Sequence, residues 1–155
     1  MVEDGEKAPD FELQDADEKS TTLSDLKGRP VVLYFYPKDD TSGCTAEAKD
    51  FTCLIDDFRR AGADVIGVSP DSAQSHRKFR DKYGLSVRLL ADEARKAAQA
   101  YGVWVEKSMY GRKYMGIERS TFLIDKAGKV ARSWRNVRVP GHAEEVLKAV
   151  KALKS

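Results

Sequence analysis

Two runs of the chain, residues 31–36 and 63–68, are apolar almost without interruption and rich in β-branched and aromatic side chains. That is the pattern of strands covered on both faces. Between them the pattern changes. Over residues 45–61, Ala48, Phe51, Leu54, Ile55 and Phe58 recur on one face at the 3.6-residue period, which predicts an amphipathic helix stopped by Gly62. Ser69-Pro70-Asp71 then caps a helix to about residue 83, ended by Gly84, and residues 87–90 form a further short strand. Asp92 opens a helix running to Tyr101 and Gly102.

Both ends of the chain follow the same logic. Residues 8–14 alternate as a short strand with Pro9 at its start, a second extended piece is expected near residues 20–23, and residues 23–28 read as one helical turn closed by Gly28. Residues 121–124 and 130–134 are strands joined by the hairpin turn Asp125-Lys126-Ala127-Gly128, and a last helix covers residues 142–153 behind Pro140-Gly141. Trp104, Tyr110, Tyr114 and Met115 fall in an irregular stretch before Arg119. A β–α–β–α–β run followed by a hairpin and a helix predicts parallel pairing of the first long strands through a right-handed crossover. The fold class is α/β: a thioredoxin-like layout with a central mixed sheet flanked by helices and an N-terminal β extension. With no repeat, low-complexity tract or linker, residues 1–155 are expected to form one domain.

Charge narrows the function. The 27 basic residues are answered by 25 acidic ones, which argues against a nucleic-acid partner. No apolar run has the length of a membrane span. The acidic start Met1-Val2-Glu3-Asp4-Gly5-Glu6 lacks the pattern of a signal peptide, and two cysteines fit a reducing compartment, so a cytoplasmic protein is expected.

The candidate chemistry lies where the first long strand ends. Pro37 closes the strand, a polar loop follows, and Cys44 sits where the amphipathic helix begins. A helix N-terminus carries unpaired N–H groups and about half a positive charge, so a thiolate placed there is stabilised and nucleophilic. Thr41, three residues earlier, offers a hydroxyl to the sulfur or to an incoming oxygen.

The spacing Pro37-x-x-x-Thr41-x-x-Cys44-x-x-Glu47 resembles the peroxiredoxin active-site pattern, and Arg119, heading Ser120-Thr121-Phe122-Leu123-Ile124, resembles the distant arginine that completes it. Gly5-x-x-Ala8-Pro9-Asp10-Phe11, Leu23-Ser24-Asp25-Leu26-Lys27-Gly28 and Tyr110-Gly111-x-x-Tyr114-x-Gly116-x-x-Arg119 are similar to the bacterioferritin-comigratory, or PrxQ, subgroup. Ser42 stands where that subgroup usually has proline. The resemblance implies a thiol-dependent peroxidase. Cys44 attacks hydrogen peroxide or an organic hydroperoxide, Arg119 stabilises the thiolate and the leaving oxygen, and Thr41 with the Cys44 N–H holds the peroxide. Pro37 shields the sulfur and Glu47 orients Arg119. The resemblance implies a thioredoxin-like reductant and neither metal nor organic cofactor; a monomer is expected.

Cys53 is a candidate resolving cysteine, but the match is imperfect. The subgroup's second cysteine falls at the position of Lys49, or in the next helix at that of Arg80. Nine residues along an unbroken helix is about 13.5 Å of rise, beyond disulfide reach unless the helix unwinds. Cys53 nevertheless falls on the polar face with Lys49, Asp50, Asp56, Asp57 and Arg60, so a passive surface thiol and a resolving role both stand. His76 and His142 read as surface residues without metal spacing. Two further readings remain. A cysteine hydrolase needs a histidine base that neither position supplies. A peroxide-sensing switch or chaperone-like binding protein would use Cys44 stoichiometrically.

Overall fold

The structure, a computed structural model, describes residues 2–153, so Met1 of the acidic N-terminal run lies outside it. At its centre, β3 (Val31–Phe35) pairs in parallel with β4 (Asp64–Ser69), and β4 with β5 (Arg88–Ala91). The other neighbours are antiparallel: β8 (Ser120–Ile124) on β3, β9 (Val130–Trp134) on β8, and β1 (Glu12–Asp15) on β5, with β2 (Ser20–Thr22) outermost. The order is β2-β1-β5-β4-β3-β8-β9, the expected mixed thioredoxin-like sheet with its N-terminal extension.

Alternation within β3 explains why the strand is apolar throughout. Val32 and Tyr34, followed by Tyr36 just past the strand's end, enter a core with α1 (Ser42–Cys53), α2 (Ile55–Arg60), α3 (Ala73–Tyr83) and α5 (His142–Ala152). Val31, Leu33 and Phe35 enter a second core on the opposite face, with Ala97 and Ala98 of α4 (Lys96–Ala100), Tyr101 and Phe122. Successive side chains point to opposite faces, and burying each large one contributes about 1.5–3 kcal/mol.

Several elements differ from expectation. The single helix over 45–61 is two. It begins at Ser42 and breaks at Leu54, whose N–H is shared between the Asp50 and Phe51 carbonyls at 3.3 and 3.2 Å. Gly62 ends α2 as expected, at φ +84°. The cap of α3 is Ser72, whose hydroxyl accepts from the Ser75 N–H, and not a residue of the expected Ser69-Pro70-Asp71 run. The first strand starts at Glu12 and not at residue 8, because the Ala8 N–H donates to the Gly128 carbonyl, away from the strand. Asp92 does serve α4, accepting the N–H groups of Ala97 and Ala98.

The irregular stretch is a hairpin, β6 (Trp104–Met109) with β7 (Arg112–Ile117). Its tip, Tyr110 at φ +51° and Gly111 at φ +76°, has the doubly positive φ of a two-residue hairpin turn. Tyr110 is 98% exposed, and Met109, Tyr114 and Met115 are also exposed. Among the described residues no helix is long and apolar enough to cross a membrane.

Candidate active site

The last backbone tie of β3 toward the site is the Tyr36 N–H, which donates to the Val68 carbonyl at 3.0 Å. Pro37, half-buried, follows without an N–H of its own, and residues 37–41 leave the sheet as a loop. Thr41 is the N-cap of α1 in extended conformation, yet its hydroxyl donates backwards to the Lys38 carbonyl at 2.9 Å. Its hydrogen is thus directed to Lys38 and not to the sulfur, one of the two partners expected for that hydroxyl. Among the described residues its oxygen lone pairs stay open, and no side chain caps the first-turn N–H groups of α1.

Cys44 is the third residue of α1 and only 2% exposed. Register carries Arg119 to it. Phe35 pairs with Ser120, so the residue before β8 lies beyond the end of β3, beside the start of α1. There Arg119 Nη2 donates to Cys44 Sγ at 3.3 Å, and Nη1 donates to Glu47 Oε1 at 2.7 Å. Gly43 makes room for this: a Cβ at that position would stand 3.2 Å from Arg119 Nη2.

The charges are interdependent. Burial pushes the Glu47 carboxyl up to about 7, against the pull of Arg119. Burial opposes the charge on Arg119, but Glu47 and the Cys44 sulfur outweigh it and hold its pKa above the ordinary value. Lys107 on β6 is the second cation nearby. Burial and then Arg119 lower its pKa, while Cys44 works in the opposite direction.

Thr41, Cys44, Glu47 and Arg119 thus gather at one place, with Pro37 at the root of the loop. Cys53 does not join them; it ends α1, exposed, and both cysteines are free. Neither histidine lies on the surface. His142 is buried, with Nε2 2.8 Å from Thr121 Oγ1, and burial lowers its pKa to about 4, against Glu145 and with help from Arg119. His76 is 0% exposed and held by Asp39 and the Leu90 carbonyl. Sequence reasoning missed Gly43, Lys107 and Asp39; for Gly43 the signal was a glycine directly before the helix-start cysteine.

A thioredoxin-like sheet that delivers a buried cysteine to a helix start, beneath a guanidinium, is the framework of a thiol peroxidase. Residues 5–133 match the AhpC/TSA family, and the chain belongs to it as a peroxiredoxin of the Bcp/PrxQ type. It is 50% identical to peroxiredoxin Bcp of Bacillus subtilis (strain 168) over 150 residues, 97% of this chain and 96% of that one. The crystal structure of a cysteine-to-serine mutant of Xylella fastidiosa PrxQ superposes with a TM-score of 0.93 at 40% identity, covering 98% and 97% of the two chains. A Xanthomonas campestris bacterioferritin comigratory protein, described for its alkyl peroxide reduction activity, superposes at 0.88 with 45% identity, covering 92% and 90%.

Proposed function

We propose that Cys44 is the peroxidatic nucleophile of a cycle passing through a sulfenic acid and recycled by a thioredoxin-like dithiol. The observation that carries the reading is the 3.3 Å bond from Arg119 Nη2 to the sulfur of a cysteine in the uncapped first turn of α1. Guanidinium and helix N-terminus both favour the thiolate. The sulfur attacks one peroxide oxygen; the S–O bond forms as the O–O bond breaks, and sulfur loses two electrons. The departing oxygen leaves as hydroxide or alkoxide and takes a proton, giving water or an alcohol.

Negative charge moves from sulfur to that oxygen, which is where Arg119 stabilises it. The Thr41 hydroxyl, its hydrogen committed to Lys38, accepts from the hydroperoxide O–H, and the Cys44 N–H donates to the peroxide, so the two oxygens lie in line. Glu47 sets the guanidinium's orientation, and Pro37 roots the loop. The activity described for the Xanthomonas campestris protein supports alkyl as well as hydrogen peroxide as substrate. The sulfenic acid is then attacked by a reductant thiol, releasing water. The reductant's second thiol attacks the mixed disulfide, restoring Cys44 and leaving the reductant oxidised. All the named groups belong to one chain, so the cycle needs no second copy.

Cys44→Ser should abolish peroxide consumption coupled to a recycling dithiol. Turnover surviving in that variant would remove the reading, and a single equivalent consumed by the wild type, without recycling, would favour a stoichiometric sensor.

A further inference from the structure

The loop over residues 37–41 is held from behind by groups that take no part in the sulfur chemistry. Asp39 is buried, and its carboxylate receives three contacts: the Tyr36 hydroxyl on Oδ1 at 2.6 Å, the Ser75 hydroxyl on Oδ2 at 2.8 Å, and His76 Nδ1 on Oδ2 at 2.7 Å. Its backbone N–H donates to Asp71 Oδ2 at 2.8 Å. Asp40, at φ +59°, accepts from Lys82 Nζ at 2.8 Å and from the Tyr83 hydroxyl. Ser75, His76, Lys82 and Tyr83 all belong to α3.

Proton counting assigns the state of His76. Its Nε2 lies 2.9 Å from the Leu90 carbonyl oxygen, which can only accept, so Nε2 carries hydrogen. The Nδ1–Oδ2 contact needs a proton of its own. Two hydroxyls already converge on the same carboxylate, and the ionised form accepts all three. Both ring nitrogens then donate. Asp39, Asp71 and His76 bring metal-binding atoms within 4.8 Å of one another, but the Nδ1 lone pair a metal would need is spent on that proton.

We infer that His76, as an imidazolium bridging Asp39 to the Leu90 carbonyl, is the positioning residue that fixes the 37–41 loop against α3 and β5 and so aims the Thr41 hydroxyl at the peroxide. The inference rests on the proposed reading of Cys44 and Thr41. It separates two properties of the site: the sulfur's nucleophilicity comes from Arg119 and the helix N-terminus, while the peroxide's placement depends on the loop. A misplacement of about 1 Å suffices to cost up to a hundredfold in rate.

The test uses the full chain in a Cys53→Ser background, comparing two second-order rates at Cys44: with hydrogen peroxide, and with iodoacetamide, which needs the thiolate but not Thr41. H76L is expected to lose at least about tenfold toward peroxide while alkylation stays within about twofold. H76N, whose amide nitrogen takes the place of Nδ1 and donates to Asp39, should recover peroxide reactivity to within about threefold of the wild type. Nitrogen-15 spectra of the wild-type ring should show hydrogen on both nitrogens. An unchanged peroxide rate in H76L, equal losses of both rates, or a bare Nδ1 would each overturn the inference. Should H76L not fold, the pair S75A/K82A, which removes two other ties of the loop to α3, takes its place with the same selective loss required. A wild type that reduces peroxide alongside an indifferent H76L removes only this inference; a wild type that does not reduce peroxide removes the functional reading beneath it.

Discussion

Arg119 Nη1 donates to Glu47 Oε1 at 2.7 Å, and that bond sets the roll of the guanidinium so that Nη2 meets the sulfur of Cys44. The carboxylate doing this is buried, and its second oxygen has no partner among the described protein groups. The arrangement therefore pays a desolvation penalty in stability to orient a cation.

The penalty should appear in the pH dependence of folding. The Glu47 carboxyl moves from an ordinary 4.5 up to about 7 in the folded protein, so the folded state holds a proton that the unfolded chain releases. Its contribution is fully present below pH 4.5 and is lost as pH rises through about 7. At about 1.4 kcal/mol for each unit of pH between 4.5 and 7, the loss is about 3 to 3.5 kcal/mol. Glu47→Gln keeps an acceptor oxygen for Arg119 and removes the titration. Urea unfolding of both proteins between pH 4.5 and 8 should show the wild type weakening steadily relative to the variant, and parallel curves would contradict the account.

His142 works in the opposite direction. Burial holds its pKa near 4 against an ordinary 6.5, so the unfolded chain binds the proton first. The stability it contributes is complete above pH 6.5 and is lost as pH falls through about 4. The shift is as large as that of Glu47, and solvent screening of the ring reduces the amount to about 2–3 kcal/mol. Between pH 4.5 and 6.5 this partly masks the Glu47 effect in the wild type, so only comparison with variants resolves either. His142→Gln should flatten the acid limb of the stability profile; an acid limb as steep as the wild type's would place the effect elsewhere.

Gly43 separates stability from activity. Alanine there should favour the helix by up to about 1 kcal/mol, but its Cβ would press on Arg119 Nη2 at 3.2 Å. That guanidinium is bonded on both sides and cannot retreat without lengthening the bond to Sγ. Gly43→Ala should therefore keep or raise the melting temperature while slowing reaction with peroxide by about threefold to tenfold. An unslowed variant would show that the guanidinium's placement tolerates the intrusion.

What the chain reveals without coordinates follows from distance along it. Thr41, Cys44 and Glu47 share a helix start, so their meeting is written in their spacing, and the doubly apolar β3 announces a sheet covered on both faces. Arg119 lies 75 residues from Cys44 and was legible only through the family resemblance, because the pairing of Phe35 with Ser120 is a register that composition does not encode. His76 was misread because α3 is otherwise strongly charged. It becomes an interior residue only when Asp39 arrives from a different element. The β6–β7 hairpin escaped because exposed side chains populate both its faces, leaving no buried stripe to betray a period of two.

Cys53 supplies the last prediction. Along α1, Cys44 and Cys53 are separated by about 13.5 Å of rise and half a turn, whereas a disulfide needs Cα atoms within about 7 Å. Closing that gap means unwinding turns that carry Ala48 and Phe51, and Phe51 is fully buried with its ring stacked on Tyr34 at 4.7 Å. Removing a buried phenylalanine from a core costs about 3–5 kcal/mol. An external thiol reaching the sulfenic acid meets no such obstacle. Mass spectrometry after one equivalent of peroxide should find a single oxygen on Cys44 and no Cys44–Cys53 bond, and Cys53→Ser should turn over with a dithiol reductant within about twofold of the wild type. An internal disulfide would mean that the start of α1 melts during the cycle, at an energy the oxidised sulfur itself would have to supply.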